Sequence, residues 1–422
     1  MLDIKFIRDN KEKVKENCRL RNFKVDIDRL LELDEKRRRL IAKIGELKER
    51  KNKLNKEVKT TEDKDKLIRE GKEIKTRLEK LESGFREIDK EYRTLLFKVP
   101  NMTHPAAPIG RDDSENKKIE QYGEPPKFDF EPKGHEEIME NLDLIDFKRG
   151  TKVAGAKFYF LKNEGALLEQ ALIQYALNVC VEKGFVPFVT PDLAKDEVLL
   201  GIGYNPRGEE AQIYSVENTD LNLVGTAEIV MGGYHMGEVI PEDKLPLKYI
   251  ALSHCFRTEA GSYGRHSAGL YRVHQFSKVE MFAYTLPEES EEMHKYFKDL
   301  EVKIFNGLGI PFRVVDICAG DLGASAYRKY DLEAWMTSRD GWGEITSTSD
   351  TTDYQARRLN IKVKRKDGRR EFLHMLNGTA IATSRAMIAI IENCQQADGS
   401  VVVPEVLREY MPGEIEVVKS SK

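Results

Sequence analysis

Two heptad runs near the N-terminus limit most strongly what this chain can fold into. Leu30, Leu33, Leu40, Ile44, Leu47, Leu54 and Val58 follow alternating steps of three and four, with Arg37 and Lys51 filling two of the slots. That rhythm lays one apolar stripe along a helix of 3.6 residues per turn. After a polar stretch over residues 59–66, Leu67, Gly71, Ile74, Leu78, Leu81, Phe85, Ile88, Tyr92 and Leu95 resume it. Two long helices joined by a short polar link predict an antiparallel coiled-coil hairpin, the first helix extending roughly 50 Å at 1.5 Å per residue. The heptads give shape without function. A structural or dimerising coiled coil fits them, and so does an arm that holds a polyanion.

Charge tilts that choice only slightly. Residues 28–93 carry 22 Lys and Arg against 17 Asp and Glu, whereas the whole chain of 422 residues has a formal charge of −3, so a basic segment sits on an acidic remainder. Charged positions flanking the seam are ordinary in coiled coils. Over residues 99–132 the prolines and glycines of Val99-Pro100-Asn101-Met102-Thr103-His104-Pro105 and Gly123-Glu124-Pro125-Pro126 stop either helix from continuing. We therefore expect an N-terminal domain over residues 1–99 with its arm over about 28–95, a linker over 100–134 and a second domain over 135–422. In that domain, helical patterns at 166–183 and 290–308 are interspersed with β-rich runs at 185–190, 247–252 and 278–284. They predict an α+β domain built on a mainly antiparallel β-sheet flanked by helices.

Several function classes drop out. No apolar run approaches the roughly 20 residues of a membrane helix, and the acidic N-terminus lacks the pattern of a targeting leader, so a cytoplasmic protein without a membrane partner is expected. Five scattered cysteines without a CxxC pair indicate neither a disulfide framework nor zinc. Gly201-Ile202-Gly203 is followed by Pro206 and only then by Gly208, which is the wrong spacing for a dinucleotide loop, and no GxxxxGK[ST] phosphate loop occurs.

The chemistry-bearing residues concentrate around Phe256-Arg257-Thr258-Glu259 and Gly269-Leu270-Tyr271-Arg272-Val273-His274-Gln275-Phe276. They read as strand, mobile loop with Arg265 and His266, and strand. A guanidinium neutralises phosphate, an aromatic ring stacks on a base and a carboxylate accepts from an exocyclic amine, so the inventory suits a nucleotide. Each residue alone has a blander reading, as a surface ion pair or a core aromatic.

Together these residues resemble motif 2 of class II aminoacyl-tRNA synthetases. Thr226-Ala227-Glu228, Lys278-Val279-Glu280, Gly320-Asp321-Leu322-Gly323, Tyr330-Asp331-Leu332-Glu333, Gln355-Ala356-Arg357-Arg358 and the C-terminal Gln395-Gln396-Ala397-Asp398-Gly399-Ser400 extend the resemblance to the seryl-tRNA synthetase family over nearly the whole chain. The resemblance implies a class II catalytic domain that activates L-serine with ATP and Mg²⁺ and charges tRNA(Ser), with tRNA(Sec) as a further candidate acceptor, in a homodimer. It implies serine contacts at Thr226, Glu228, Arg257, Glu280 and Thr379. For ATP it implies Arg257, Thr258, Glu259, Val273, Phe276, Glu344, Ile345, Thr346, Ser347 and Arg385, with Glu344 and Ser347 also holding the magnesium. It makes the hairpin a tRNA-binding arm reaching the long variable arm of the tRNA, with Lys36, Arg38, Arg39, Lys43, Arg50 and Lys53 available for phosphates, and Arg37 and Lys51 as doubtful members because they occupy heptad slots. Gly225 stands where many family members have proline, and Thr346 and Thr348 depart from a more common Ser/Cys pattern.

Two other classes compete. A synthetase-like paralogue serving another acceptor would be expected to lack the arm, and a scaffold without catalysis would be expected to have lost Arg257, Glu259 or Arg385. This chain has them all.

Overall fold

In a computed structural model of the protein, residues 1–57, 64–204, 212–259 and 269–420 are described. They form two compact units, Met1–Met102 and Thr103–Lys422. Val58, most of the polar link, Pro206, Gly208 and the Arg265 and His266 loop lie outside the described residues.

The first unit is helical: α1 (Ile4–Asp9), α2 (Lys11–Leu20), α3 (Ile27–Glu57) and α4 (Lys64–Lys98). α3 and α4, of 31 and 35 residues, pair along the stripes that the heptads define. Their seam holds two separate clusters. Near the base, Leu30, Leu33, Tyr92 and Leu96 pack with Ile7 and Val14 of the short helices. Further out, Ile44, Leu54, Ile74 and Leu78 pack with one another. Between the clusters Arg37 spans the seam, with Nε 2.5 Å from Asp89 and its guanidinium 5.0 Å from the Tyr92 ring centroid. Its charge meets an acid, and its flat face covers an aromatic that a leucine would otherwise have packed.

The second unit is built on eight described strands: β1 (Lys117–Tyr122), β2 (Val186–Val189), β3 (Leu247–Phe256), β4 (Gln275–Thr285), β5 (Phe312–Asp316), β6 (Arg328–Met336), β7 (Gly341–Asp350) and β8 (His374–Ala382). Their order is β1-β5-β6-β7-β8-β4-β3-β2, antiparallel throughout except between β2 and β3. β1 comes from the segment between the arm and the β-rich runs and closes one edge by pairing with β5. The helices that matter are α5 (Asn163–Val181), α6 (Asp196–Ile202), α7 (Ala227–Gly233), α8 (Ser290–Gly307), α9 (Tyr354–Leu359) and α10 (Thr383–Asn393).

Strand period two sorts β4 between the sheet's faces. Val279, Met281 and Ala283 join the core made with α5, α8 and α10, whereas Phe282 and Tyr284 join the one made with α7 and α9. Glu280 and Lys278 share the parity of Phe282. A register shift opposite Leu332 and Glu333 leaves Ile345 of β7 without a cross-strand partner. This bulge breaks the alternation, so that Glu344 and Ser347, three residues apart, both reach the same cavity.

Candidate active site

A cavity of about 350 Å³ opens over the centre of the sheet, between β4, β7, β8 and the starts of α7 and α10. All the residues expected from the sequence to hold serine or ATP line it except Thr258, whose backbone N–H points to the Gln212 carbonyl at 3.4 Å.

One end is rich in acceptors. Thr226 caps α7, its Oγ1 accepting from the Glu228 N–H at 3.1 Å, which fixes Glu228 in the first helical turn. Gln355 of α9 donates to Glu228 Oε1 at 2.8 Å. Burial, with the nearby Glu280 charge adding to it, pushes the Glu228 carboxyl up to about 7. Glu280 accepts from Thr379 Oγ1 at 3.2 Å and pairs with Lys278 Nζ at 2.5 Å. The chemistry of such a compartment suits a small ligand carrying an ammonium and a hydroxyl, both of which need buried acceptors.

The other end is cationic and aromatic. Cys255 and Phe276 are opposed in the β3–β4 ladder, so Arg257, two residues on, arches over Phe276 with its guanidinium 5.2 Å from the ring centroid. Arg257 Nε donates to the Gly225 carbonyl at 3.2 Å. Glu259 sits at φ +47° and meets Arg272 Nη1 at 3.2 Å. Arg385 enters from the first turn of α10, 3.1 Å from both the carbonyl and the carboxylate of Glu344. Burial alone would raise Glu344, yet Arg385, Lys329 and Arg257 hold it down at about 2. Its side chain keeps 41% exposure, turned into the cavity. Behind it, burial pushes Asp331 up to about 7 despite Lys329 Nζ at 2.9 Å. Thr346 donates to the fully buried Glu301 at 2.8 Å, and burial drives that carboxyl well above its usual range.

The cavity also takes in residues that the sequence reading did not assign, notably Lys278, Lys329, Tyr271 and Asn377. Lys278 carried a signal, because it lies two residues before Glu280 on a strand and so shares its face. Asn377 carried the same signal, two residues before Thr379 on β8. The expected tRNA-binding residues all lie on α3 of the first unit.

Comparison with known proteins meets this geometry from both ends of the chain. A family profile described as "Seryl-tRNA synthetase N-terminal domain" matches residues 1–103, and one described as "tRNA synthetase class II core domain (G, H, P, S and T)" matches residues 214–394. A serine–tRNA ligase of Treponema denticola is 55% identical over 97% of this chain and 98% of its own. The chain belongs to the seryl-tRNA synthetase family. A second such ligase, from Rubrobacter xylanophilus, is 53% identical over 98% of this chain and 99% of its own. The crystal structure of the Pyrococcus horikoshii seryl-tRNA synthetase complexed with ATP superposes with a TM-score of 0.91 at 39% identity, covering both chains completely.

Within a seryl-tRNA synthetase the departures at Gly225 and Thr346 have plain physical readings. Gly225 serves Arg257 through its carbonyl, which any residue supplies. Thr346 retains the hydroxyl that meets Glu301. Among the described residues no helix is long and apolar enough to cross a membrane.

Proposed function

We propose that the chain activates L-serine with ATP to form seryl-adenylate and transfers the seryl group to the 3′ end of tRNA(Ser), with tRNA(Sec) a further candidate acceptor. The observation that carries this reading is that Glu280, Thr379 and Lys278 build a buried, hydroxyl-accepting compartment in the same cavity as Arg257 and Phe276. The T. denticola and R. xylanophilus relatives named as serine–tRNA ligases support the amino acid, and the P. horikoshii complex supports ATP.

The serine ammonium meets Glu228 and Glu280, and its hydroxyl meets Glu280 and Thr379. A site that hydrogen-bonds a substrate hydroxyl rejects the analogue lacking it by roughly 10⁴–10⁵-fold, so alanine is refused, while the small compartment refuses threonine by volume. Adenine stacks on Phe276, with its amino group toward Glu259. The serine carboxylate is already ionised and attacks the α-phosphorus directly as pyrophosphate leaves, so no side-chain nucleophile is needed. Arg257 and Arg385 neutralise the charge that develops on the phosphate oxygens. The terminal hydroxyl of the tRNA then attacks the seryl carbonyl, and AMP departs.

Glu344, ionised and open to the cavity, and the neighbouring Ser347 are hard oxygen donors of the kind magnesium takes, so these two would hold it. Bound there, the ion would add to the neutralisation of phosphate charge. The unit of action is a homodimer in the cytoplasm. β2 supports the first part, since it is an edge strand whose Val186 and Val189 are 51% and 88% exposed.

ATP–pyrophosphate exchange with each amino acid in turn tests the reading. Exchange with serine is expected. Exchange with another amino acid and none with serine would overturn it.

A further inference from the structure

Tyr271 faces two guanidiniums, with Arg339 at 4.0 Å and Arg385 at 4.7 Å from its ring centroid. Such contacts hold a ring and a cation in register. Tyr271 and Arg385 line the cavity; Arg339 does not. What fixes this stack lies beneath it. Glu392 is fully buried, two helical turns beyond Arg385 on the same face of α10.

Glu392 gathers four donors. The His135 backbone N–H reaches Oε1 at 3.1 Å, and His135 Nδ1 reaches the same oxygen at 2.7 Å. The Ser338 N–H reaches Oε2 at 3.0 Å, and Ser338 Oγ reaches Oε1 at 2.6 Å. Although burial opposes it, these partners, His135 first, hold the Glu392 carboxyl below its usual range. On its other side His135 Nε2 faces the Leu270 N–H at 3.2 Å. The arrangement fixes the tautomer: Nδ1 carries the proton and donates to Glu392, while Nε2 accepts from Leu270. Gly269, at φ +61°, presses so closely on the ring that a Cβ there would lie 2.1 Å from His135 Nε2. Leu270 immediately precedes Tyr271, and Ser338 immediately precedes Arg339.

We propose that His135, held by Glu392, is a positioning residue for ATP: it sets Tyr271 against Arg385 and so fixes the guanidinium that meets the nucleotide. One buried acid thereby ties the segments carrying Tyr271 and Arg339 to the helix carrying Arg385. The inference rests on the ATP role given to Arg385 above. It concerns residues to which that reading gives no part. The serine compartment stands on other elements, so the effect is selective for the nucleotide.

Three single variants and one double variant test it, with the KM for ATP and for serine measured separately in pyrophosphate exchange, ATP binding measured by calorimetry and folding followed by thermal melting. His135→Ala is expected to raise the KM for ATP by up to roughly 10²-fold, the effect of misplacing a binding group by about 1 Å, and to leave the KM for serine unchanged. His135→Gln, whose carboxamide can still accept from the Leu270 N–H, recovers part of the loss. Arg339→Met leaves the Glu392–His135 pair in place and is expected to melt as the unaltered protein does and to weaken ATP alone. Combined with His135→Gln it gives less than the sum of the two effects. A folded His135→Ala with a normal KM for ATP, or with both KM values raised equally, would overturn the proposal. If His135→Ala does not fold, an unchanged ATP affinity in Arg339→Met overturns it instead. Absence of serine-dependent exchange in the unaltered enzyme would refute the proposed function, and calorimetry with ATP would still decide the positioning role.

Discussion

Lys278 places its ammonium 2.5 Å from Oε2 of Glu280, and both side chains are almost wholly buried. Breaking such a pair from one side costs about 3–5 kcal/mol, because the remaining charge has no water to turn to. Lys278→Met is therefore expected to destabilise the protein by that amount in denaturant unfolding and to raise the KM for serine, since the acceptor for the hydroxyl is left uncompensated. Adding Glu280→Gln should restore most of the stability and none of the serine activation. A stable, fully active Lys278→Met enzyme would show that the pair does neither job.

Glu228 gives the site a pH dependence. Its folded value of about 7 lies above that of an ordinary carboxyl, so the folded state holds the proton more tightly than the unfolded chain does. The contribution to stability is complete below the ordinary carboxylate range and is lost as pH rises through about 7, amounting to roughly 3 kcal/mol. Without ligand, unfolding midpoints should fall across that window more in the native enzyme than in Glu228→Gln. Serine's ammonium favours the ionised form, so the KM for serine should fall as pH approaches 7 from below and then level off. A Glu228→Gln enzyme with the same pH profile would assign the titration to another group.

Among the described residues no strand pairs with the outer edge of β2, which carries Val189, the most exposed large apolar side chain among them. If subunits pair there, Val189→Asp should shift the mass in light scattering from two chains toward one and reduce activity with it. An active single chain in the unaltered enzyme would remove the homodimer from the account.

Sequence made some of this architecture visible because its causes are local. A heptad stripe depends on residues three and four apart, so α3 and α4 could be read directly, including the two polar slots, of which Arg37 lies over Tyr92. The cavity residues lie in short motifs on neighbouring strands, where a resemblance to a known family places them together. Long-range partnerships carried no such signal. Gln355 reaches Glu228 across 127 residues and His135 reaches Glu392 across 257, and in each case a buried acid chose a partner that only the folded topology brings near. The Pro-rich break after the arm stopped the helices, as proline must, but gave no sign that residues 117–122 would extend the sheet, because an edge strand of mixed polar residues has no apolar alternation to betray it.

The arm offers the sharpest separation of recognition from activation. Most of its expected phosphate-binding side chains are already engaged: Lys36 with Glu32, Arg38 with Asp34, Arg39 with Glu35, Arg50 with Glu70 and Lys53 with Glu49. Apart from the Arg38–Asp34 pair, whose acid is buried, these are exposed pairs worth about 0–1 kcal/mol, so an RNA phosphate can take the cation at little cost. Lys43 makes no ion pair among the described residues and should contribute most per residue. The two seam clusters dictate how to remove the arm. Deleting residues 28–95 would take Leu30, Leu33 and Tyr92 out of the core they share with Ile7, Val14 and Leu96, and the first unit would unfold. Replacing residues 42–84 with a short Gly/Ser turn removes only the outer cluster of Ile44, Leu54, Ile74 and Leu78. Serine-dependent pyrophosphate exchange should survive in that variant, while tRNA charging collapses through weaker RNA binding. In the intact enzyme each phosphate neutralised contributes about −0.9 to the log–log salt slope on a duplex, so RNA affinity should fall steeply with salt, and Lys43→Glu should flatten the slope. Near-normal charging by the shortened protein, with an unchanged salt slope, would sink the assignment of the hairpin as the RNA-recognition element.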